Sequence, residues 1–147
     1  MTGIRIGYLI SSRAMTKSLL TQQHVTVMYP SSIGQQLVRL VFESGSFEKI
    51  NGLIVGAVST RMSLLYHALR SNPIFEVEKP AGGLYLWPRL VEHDDMKMFQ
   101  TLLEMRVGVM PGRIFDNKLK WTRNVRIAVS ADEPQVRDAC AVFAKVS

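Results

Sequence analysis

Cysteine is almost missing from this 147-residue chain: a single thiol, Cys140, excludes an internal disulfide framework and suits a reducing, intracellular setting, read here as cytoplasmic. No apolar run is long enough to cross a bilayer, so a soluble globular chain with no membrane partner is expected. A secretory leader is not expected either, because Arg5 is followed by only a short apolar stretch and then Ser11-Ser12-Arg13. The three histidines, His24, His67 and His93, show no ligand spacing to one another or to Cys140, which argues against a metal site. Phosphate-loop and Ser/His/Asp signatures are missing, as are internal repeats and low-complexity tracts. The net charge of +6 is scattered, with Lys118, Lys120 and Arg123 its loose cluster, so nucleic acid is not the expected partner.

What is present is first of all Gly3-Ile4-Arg5-Ile6-Gly7-Tyr8-Leu9-Ile10, which reads as a strand. Alternation puts Ile4, Ile6 and Tyr8 on one side and Arg5, Gly7 and Leu9 on the other, so both faces carry apolar groups, as in a parallel sheet covered on both sides. A guanidinium there keeps its charge and costs several kcal/mol to desolvate unless an anion pairs with it. The alternative is an Arg5 at the strand end that reaches water and pairs with a surface carboxylate.

The rest of the chain reads as α/β in two parts. A helix runs from Arg13 to about Gln23; Tyr29-Pro30-Ser31-Ser32 breaks it and caps a second, whose apolar face is Ile33, Leu37, Leu40 and Val41. A long helix spans about Phe47 to Arg70 on a broad stripe that includes Ile50, Ile54, Val58, Leu65 and Leu69, and Asn72-Pro73 ends it. Short strands follow at Phe75–Glu78 and Leu84–Trp87, the second entered through Pro80-Ala81-Gly82-Gly83. Asp94 and Asp95 sit at an N-cap, before a helix expected to bury Met96, Phe99, Leu103 and the stem of Arg106. Val107–Met110 is a strand running into the turn Pro111-Gly112-Arg113, and Asn124–Val129 is the last strand. Ser130 with Glu133 reads as a capping box for a final helix that tolerates Pro134 in its first turn and packs Val136, Ala139, Cys140 and Phe143.

Arg126 repeats the anomaly of Arg5. Val125, Ile127 and Val129 line one face of the last strand, while Arg126 shares the other with Ala128. A guanidinium fork suits phosphate or carboxylate bidentately, so two such strands suggest two anion sites; two structural ion pairs are the competing reading.

Four segments, Gly3–Tyr8, Pro80–Trp87, Gly108–Phe115 and Asn124–Ser130, together resemble the C-terminal part of a fold type I, pyridoxal-phosphate-dependent aminotransferase of class I/II, and the resemblance covers the whole chain. It implies an α/β fold made of the end of the large domain and the complete small domain: residues 1–46 as the remnant of the cofactor-binding domain, 47–71 as a connecting helix and 72–147 as the small C-terminal domain. It implies that Arg5 binds the phosphate of pyridoxal 5'-phosphate and that Arg126 clamps the α-carboxylate of the substrate. Gly83 and Tyr85 are placed near the substrate side-chain pocket, and Tyr29 and Ser31 near the active site of the partner subunit of a homodimer. Amino-acid and 2-oxo-acid substrates follow from the same resemblance.

In that family the Schiff-base lysine lies in a Ser-x-x-Lys segment a few residues before the Gly-x-Arg motif, and none of Lys17, Lys49, Lys79, Lys97, Lys118, Lys120 or Lys145 stands in its place. Transamination uses that lysine as covalent anchor and as base. The expectation is therefore a fragment with no catalytic residue of its own, inert alone, whose full-length form moves an amino group. The alternative is a non-catalytic interaction or regulatory module that keeps the small-domain fold.

Overall fold

A computed structural model describes residues 2–115, 118 and 120–146, and the chain divides into two compact units, Met1–Gly52 and Leu53–Ser147. Among the described residues no helix is long and apolar enough to cross a membrane.

The first unit opens with a 3-10 turn, Thr2–Ile4, and the expected strand is not formed. A strand exists only through hydrogen bonds to a neighbour, and no described segment pairs with residues 5–10 as a strand. Arg5 correspondingly adopts a left-handed conformation (φ 55°) and is exposed, which corrects the buried placement expected of it. Helix α1, Arg13–Thr26, is capped by Ser12 and contains no buried residue. Helix α2, Ser32–Glu43, starts at Ser31, whose hydroxyl accepts the Gly34 amide at 3.2 Å. Gly34 is the one described residue of this unit that is buried, and it lies under the side chains of Ile4 and Ile6. The expected apolar face of α2 is formed but open: Ile33, Leu37 and Leu40 are all exposed.

Helix α3, Phe47–Arg70, is continuous, and the boundary between the units falls within it after Gly52. Its C-terminal half supplies Met62, Leu65, Tyr66 and Leu69 to the core of the second unit. Strand β1, Phe75–Glu76, pairs antiparallel with β3, Arg89–Leu90, a strand the sequence pattern does not predict. Strands β2, Tyr85–Leu86, β4, Met110–Pro111, and β5, Val125–Ala128, form a three-stranded antiparallel sheet in the order β2-β5-β4. The parallel sheet expected around the first strand is therefore not seen among the described residues, where every paired strand is antiparallel to its neighbour.

Helix α4, Asp95–Glu104, is capped by Asp94 and buries Asp95, Met98 and Leu102, with Leu103 exposed. The buried face is rotated from the one expected because Asp95, a cap residue in the sequence pattern, turns inward to meet the Arg113 guanidinium. Helix α5, Glu133–Phe143, is capped by Asp132, whose carboxylate accepts the Gln135 amide at 3.0 Å, and not by Ser130; Pro134 sits in its first turn. Buried Asn72 ties the end of α3 to the end of α5, donating to the carbonyls of Phe143 (2.9 Å) and Val146 (2.8 Å) while its own oxygen accepts from the Ile74 amide. These bonds satisfy a buried amide completely enough to hold both helices on the sheet.

Candidate functional site

The sheet β2-β5-β4 has two unlike faces. Leu86, Pro111, Val125 and Ile127 point into the core, so their alternates Tyr85, Met110, Arg126 and Ala128 share the opposite face. The register pairs Tyr85 with Ala128 and Leu86 with Ile127, which brings Trp87 opposite Arg126 and Tyr85 diagonal to it, within reach of a long side chain.

Arg126 is thus built into the central strand and surrounded by rings. Its guanidinium carbon lies 4.4 Å from the centre of the Tyr85 ring and 4.8 Å from that of Phe115. Trp87 meets Phe115 edge-on at 5.4 Å and Trp121 at 6.2 Å, which extends the aromatic surface. Such contacts favour a cation stripped of part of its water. They offer it no acceptor, however: Nε of Arg126 is buried without a hydrogen-bond partner, and no carboxylate of the described residues pairs with the group. A buried, unpartnered donor on a permanent cation is costly unless an anion engages it, and a carboxylate matches its fork in shape and charge.

Phe115 reaches Arg126 from a 3-10 turn, Gly112–Phe115. The turn is fixed at its base. Gly112 donates to the carbonyl of Asn124 at 2.7 Å, and Arg113 binds the start of α4 through its amide to Asp95 Oδ2 (2.9 Å), its Nε to Asp95 Oδ1 (2.7 Å) and its Nη2 to Asp94 Oδ2 (2.5 Å). Asp95 is fully buried and Asp94 partly so. Burial acts to raise the Asp94 carboxyl, but the amides of Lys97 and Met96 and the Arg113 guanidinium outweigh it and hold the group below the ordinary carboxylate value.

Of the residues singled out from the sequence, Arg126 and Tyr85 come together. Gly83 stands just before β2 in a left-handed conformation (φ 105°) that favours glycine, and it lines a groove of about 510 Å³ between α3 and residues 79–84 rather than the aromatic cluster. Arg5, Tyr29 and Ser31 belong to the first unit, where no hydrogen bond or ion pair links them to one another. Tyr29 is exposed, its hydroxyl 3.4 Å from His24 Nε2, and the Ser31 oxygen is engaged as a helix cap. Trp87, Phe115, Trp121 and the Asp95–Arg113 pair complete the surroundings of Arg126 and are not among the residues that the sequence pattern singles out. Trp87 and Phe115 lay inside its own motifs, and pairing the aromatic strand with the last one would have found Trp87.

The family model described as aminotransferase class I and II matches residues 1–143. Among curated proteins, the chain is 29% identical over 120 residues to a (5-formylfuran-3-yl)methyl phosphate transaminase of Methanocaldococcus jannaschii, covering 82% of this chain and 32% of that protein. It is 31% identical over 121 residues to a probable aspartate aminotransferase of the same organism, covering 78% and 32%. The chain spans about a third of the length of these curated relatives. Among solved structures, an α-aminoadipate aminotransferase from Thermus thermophilus, complexed with N-(5'-phosphopyridoxyl)-L-leucine, superposes with a TM-score of 0.84 at 18% identity, over 98% of this chain and 38% of that one. A Thermus thermophilus aspartate aminotransferase variant gives 0.81 at 23% identity, over 100% and 40%.

Proposed function

Since the chain belongs to the class I and II aminotransferases, we propose that it forms the substrate-carboxylate end of a transaminase that moves an amino group between an amino acid and a 2-oxo acid. The observation that carries this reading is Arg126, a half-buried guanidinium stacked on aromatic rings with Nε left without a partner. A carboxylate arriving there is held by two parallel charge-assisted hydrogen bonds, which fix both the position and the rotation of the group that carries it. Holding the carboxylate fixes the direction of the adjoining Cα–H bond, and that orientation is this chain's contribution to the rate.

Pyridoxal 5'-phosphate, the cofactor of the family, supplies an electron sink for amino-group transfer when bound. The described residues of this chain do not by themselves fit its phosphate: Arg5, the residue matched to that role, is exposed in a left-handed turn and is not part of a buried anion site. Arg5 as phosphate anchor, and Tyr29 and Ser31 as groups facing a partner subunit's site in a homodimer, are accordingly roles for the complete enzyme. With no lysine in the Schiff-base position, the chain alone is read as inactive. The exposed Arg5 favours a second reading, a non-catalytic module that keeps the fold. The unpartnered Nε of Arg126 weighs against it, because a module that binds no carboxylate gains nothing from the burial.

The test is Arg126→Ala in the complete enzyme. The expected loss is about 2–5 kcal/mol of transition-state stabilisation for amino acids, fading for amines that carry no carboxylate. Equal losses for both substrate types would make Arg126 structural.

A further inference from the structure

The Phe115 ring is half of what encloses the Arg126 guanidinium, and beside that cation its ring contact among the described residues is the edge of Trp87. Ile114 and Phe115 are both exposed, and the turn that carries them is only Gly112–Phe115. At its start the turn is held by the Gly112 amide bonded to the Asn124 carbonyl, and beyond that point its attachment is electrostatic. Arg113 Nη2 lies 2.5 Å from Asp94 Oδ2 and from Asp95 Oδ1, and its Nε and backbone amide both reach the Asp95 carboxylate. Asp95, the first residue of α4, is fully buried, so its half of the clamp belongs to the core. The arrangement runs from the core through Asp95 and Arg113 to Phe115, and from Phe115 to Arg126. Two side chains of one short turn therefore have different duties: Arg113 is held and, two residues on, Phe115 covers.

We propose that Arg113 is a positioning residue for Arg126: gripped by Asp94 and Asp95, it keeps Phe115 stacked on the guanidinium and so sets how tightly the site binds carboxylates. This inference rests on reading Arg126 as the carboxylate clamp. Stacking removes water from one side of the cation and restricts its rotamers before a ligand arrives, which strengthens the charge-assisted bonds and lowers the entropy lost in forming them. A loosened turn lets Arg126 rehydrate and swing. Lysine at position 113 keeps the charge, but as a point donor it cannot span both aspartates as the guanidinium fork does.

The chain reports on this cluster by itself, because its two tryptophans are Trp87 and Trp121, both within the aromatic group around Arg126. Tryptophan emission of the 147-residue chain, titrated with 3-phenylpropanoate and, as control, its uncharged amide, measures carboxylate binding without cofactor or turnover. The carboxylate is expected to change the emission saturably and the amide to leave it unaltered. Arg113→Met is expected to weaken binding about 3- to 30-fold, with Arg113→Lys in between, measured well below each variant's unfolding temperature. Phe115→Leu, which leaves the ion pairs intact, is expected to weaken binding to a similar degree, and adding Arg113→Lys to it to weaken binding no further. Unchanged affinity in folded Arg113→Met or Arg113→Lys, or additive losses in the double variant, overturns the positioning role while Arg126 stands as clamp. No carboxylate effect in the unaltered chain, or one that survives Arg126→Ala, overturns the clamp and the positioning role together.

Discussion

Up to Gly52 the chain has apolar side chains enough for a core and covers almost none of them, whereas from Leu53 onward a comparable supply is closed into one: Ile33 is 82% exposed, Leu69 and Phe143 not at all. The difference lies in what each unit offers as a counter-surface. Helices α1 and α2 bring apolar stripes, but no sheet is formed among the described residues of their unit. The second unit sets α3, α4 and α5 against strands whose inward residues are Leu86, Val125 and Ile127. A helix stripe is half of an interface, and hydrophobic burial stabilises only when the other half is supplied. The two arginines follow the same division. Arg126 acquires its environment from the sheet that surrounds it, and Arg5, in a segment without strand neighbours, acquires none.

The strongest attempt to break this comparison removes one large apolar side chain from each unit. Phe143→Ala, which empties a fully buried site packed edge-on against Phe75, is expected to cost about 3–5 kcal/mol. Leu40→Ala, on the open face of α2, is expected to stay within about 0.5 kcal/mol. Urea unfolding followed by the fluorescence of Trp87 and Trp121 checks both. A loss above about 1 kcal/mol for Leu40→Ala would show that the first unit is more tightly packed than its exposure implies.

Local signals sufficed where structure is local. The stripe of α3 and the break at Asn72-Pro73 mark its extent, Ser31 and Asp94 announce their helices through side-chain caps, and the inward face of β5 is visible in Val125 and Ile127. Features that depend on a partner distant in sequence were not legible. Ile4-Arg5-Ile6 has the composition of a strand, but only a neighbour makes it one. Asp95 looks like a surface cap until Arg113, from a later turn, draws it inward. β3 is two residues long and exists through its pairing with β1. At the site, the residue type of Arg126 was informative by itself, because an arginine among small and apolar neighbours is anomalous. Its rings were not, since which aromatics surround it depends on strand register and on the turn at Gly112–Phe115.

A second comparison uses glycines, one in each unit. At Gly112 a methyl group would press on the backbone carbonyls of Trp121 and Asn124, the latter at 2.6 Å, and the backbone has no room to give because Gly112 also donates to Asn124. Gly112→Ala is expected to cost about 1–3 kcal/mol and to displace the turn that carries Phe115. At Gly34 the methyl would meet Ile6 Cδ1 at 2.8 Å, Ile4 Cγ2 at 3.0 Å and Ile6 Cγ1 at 3.1 Å, all side-chain atoms and all from a segment that no strand pairing holds in place, so that segment can give way. Because alanine is favoured over glycine inside a helix by up to about 1 kcal/mol, Gly34→Ala is expected to be neutral or mildly stabilising. Thermal unfolding of the two variants sharpens the contrast. A large loss at Gly34 and none at Gly112 would reverse it.

The smallest effect separates two helix caps by charge. Ser31 caps α2 with a neutral hydroxyl, and Asp94 caps α4 with a carboxylate that also meets Arg113. Burial opposes the Asp94 charge, but the Lys97 and Met96 amides and the Arg113 guanidinium prevail and lower its folded pKa. A group whose pKa is lower folded than unfolded adds stability in full above its unfolded value, near about 3.9 for aspartate, and gives that stability up as pH falls through the folded value. The window therefore lies below about pH 4. Asp94 is 41% exposed, so solvent screening limits the contribution to less than about 1 kcal/mol. Asp94→Asn keeps an oxygen that can cap and discards the charge, so the variant is expected to be slightly less stable than the unaltered chain at neutral pH and to converge with it in acid. Ser31→Ala, which removes a group with no charge to lose, is expected to differ from the unaltered chain by the same amount at every pH. Unfolding measured from neutral pH down to about pH 2 distinguishes the two patterns, and a pH-independent gap for Asp94→Asn would assign the whole effect to capping and none to the Arg113 contact.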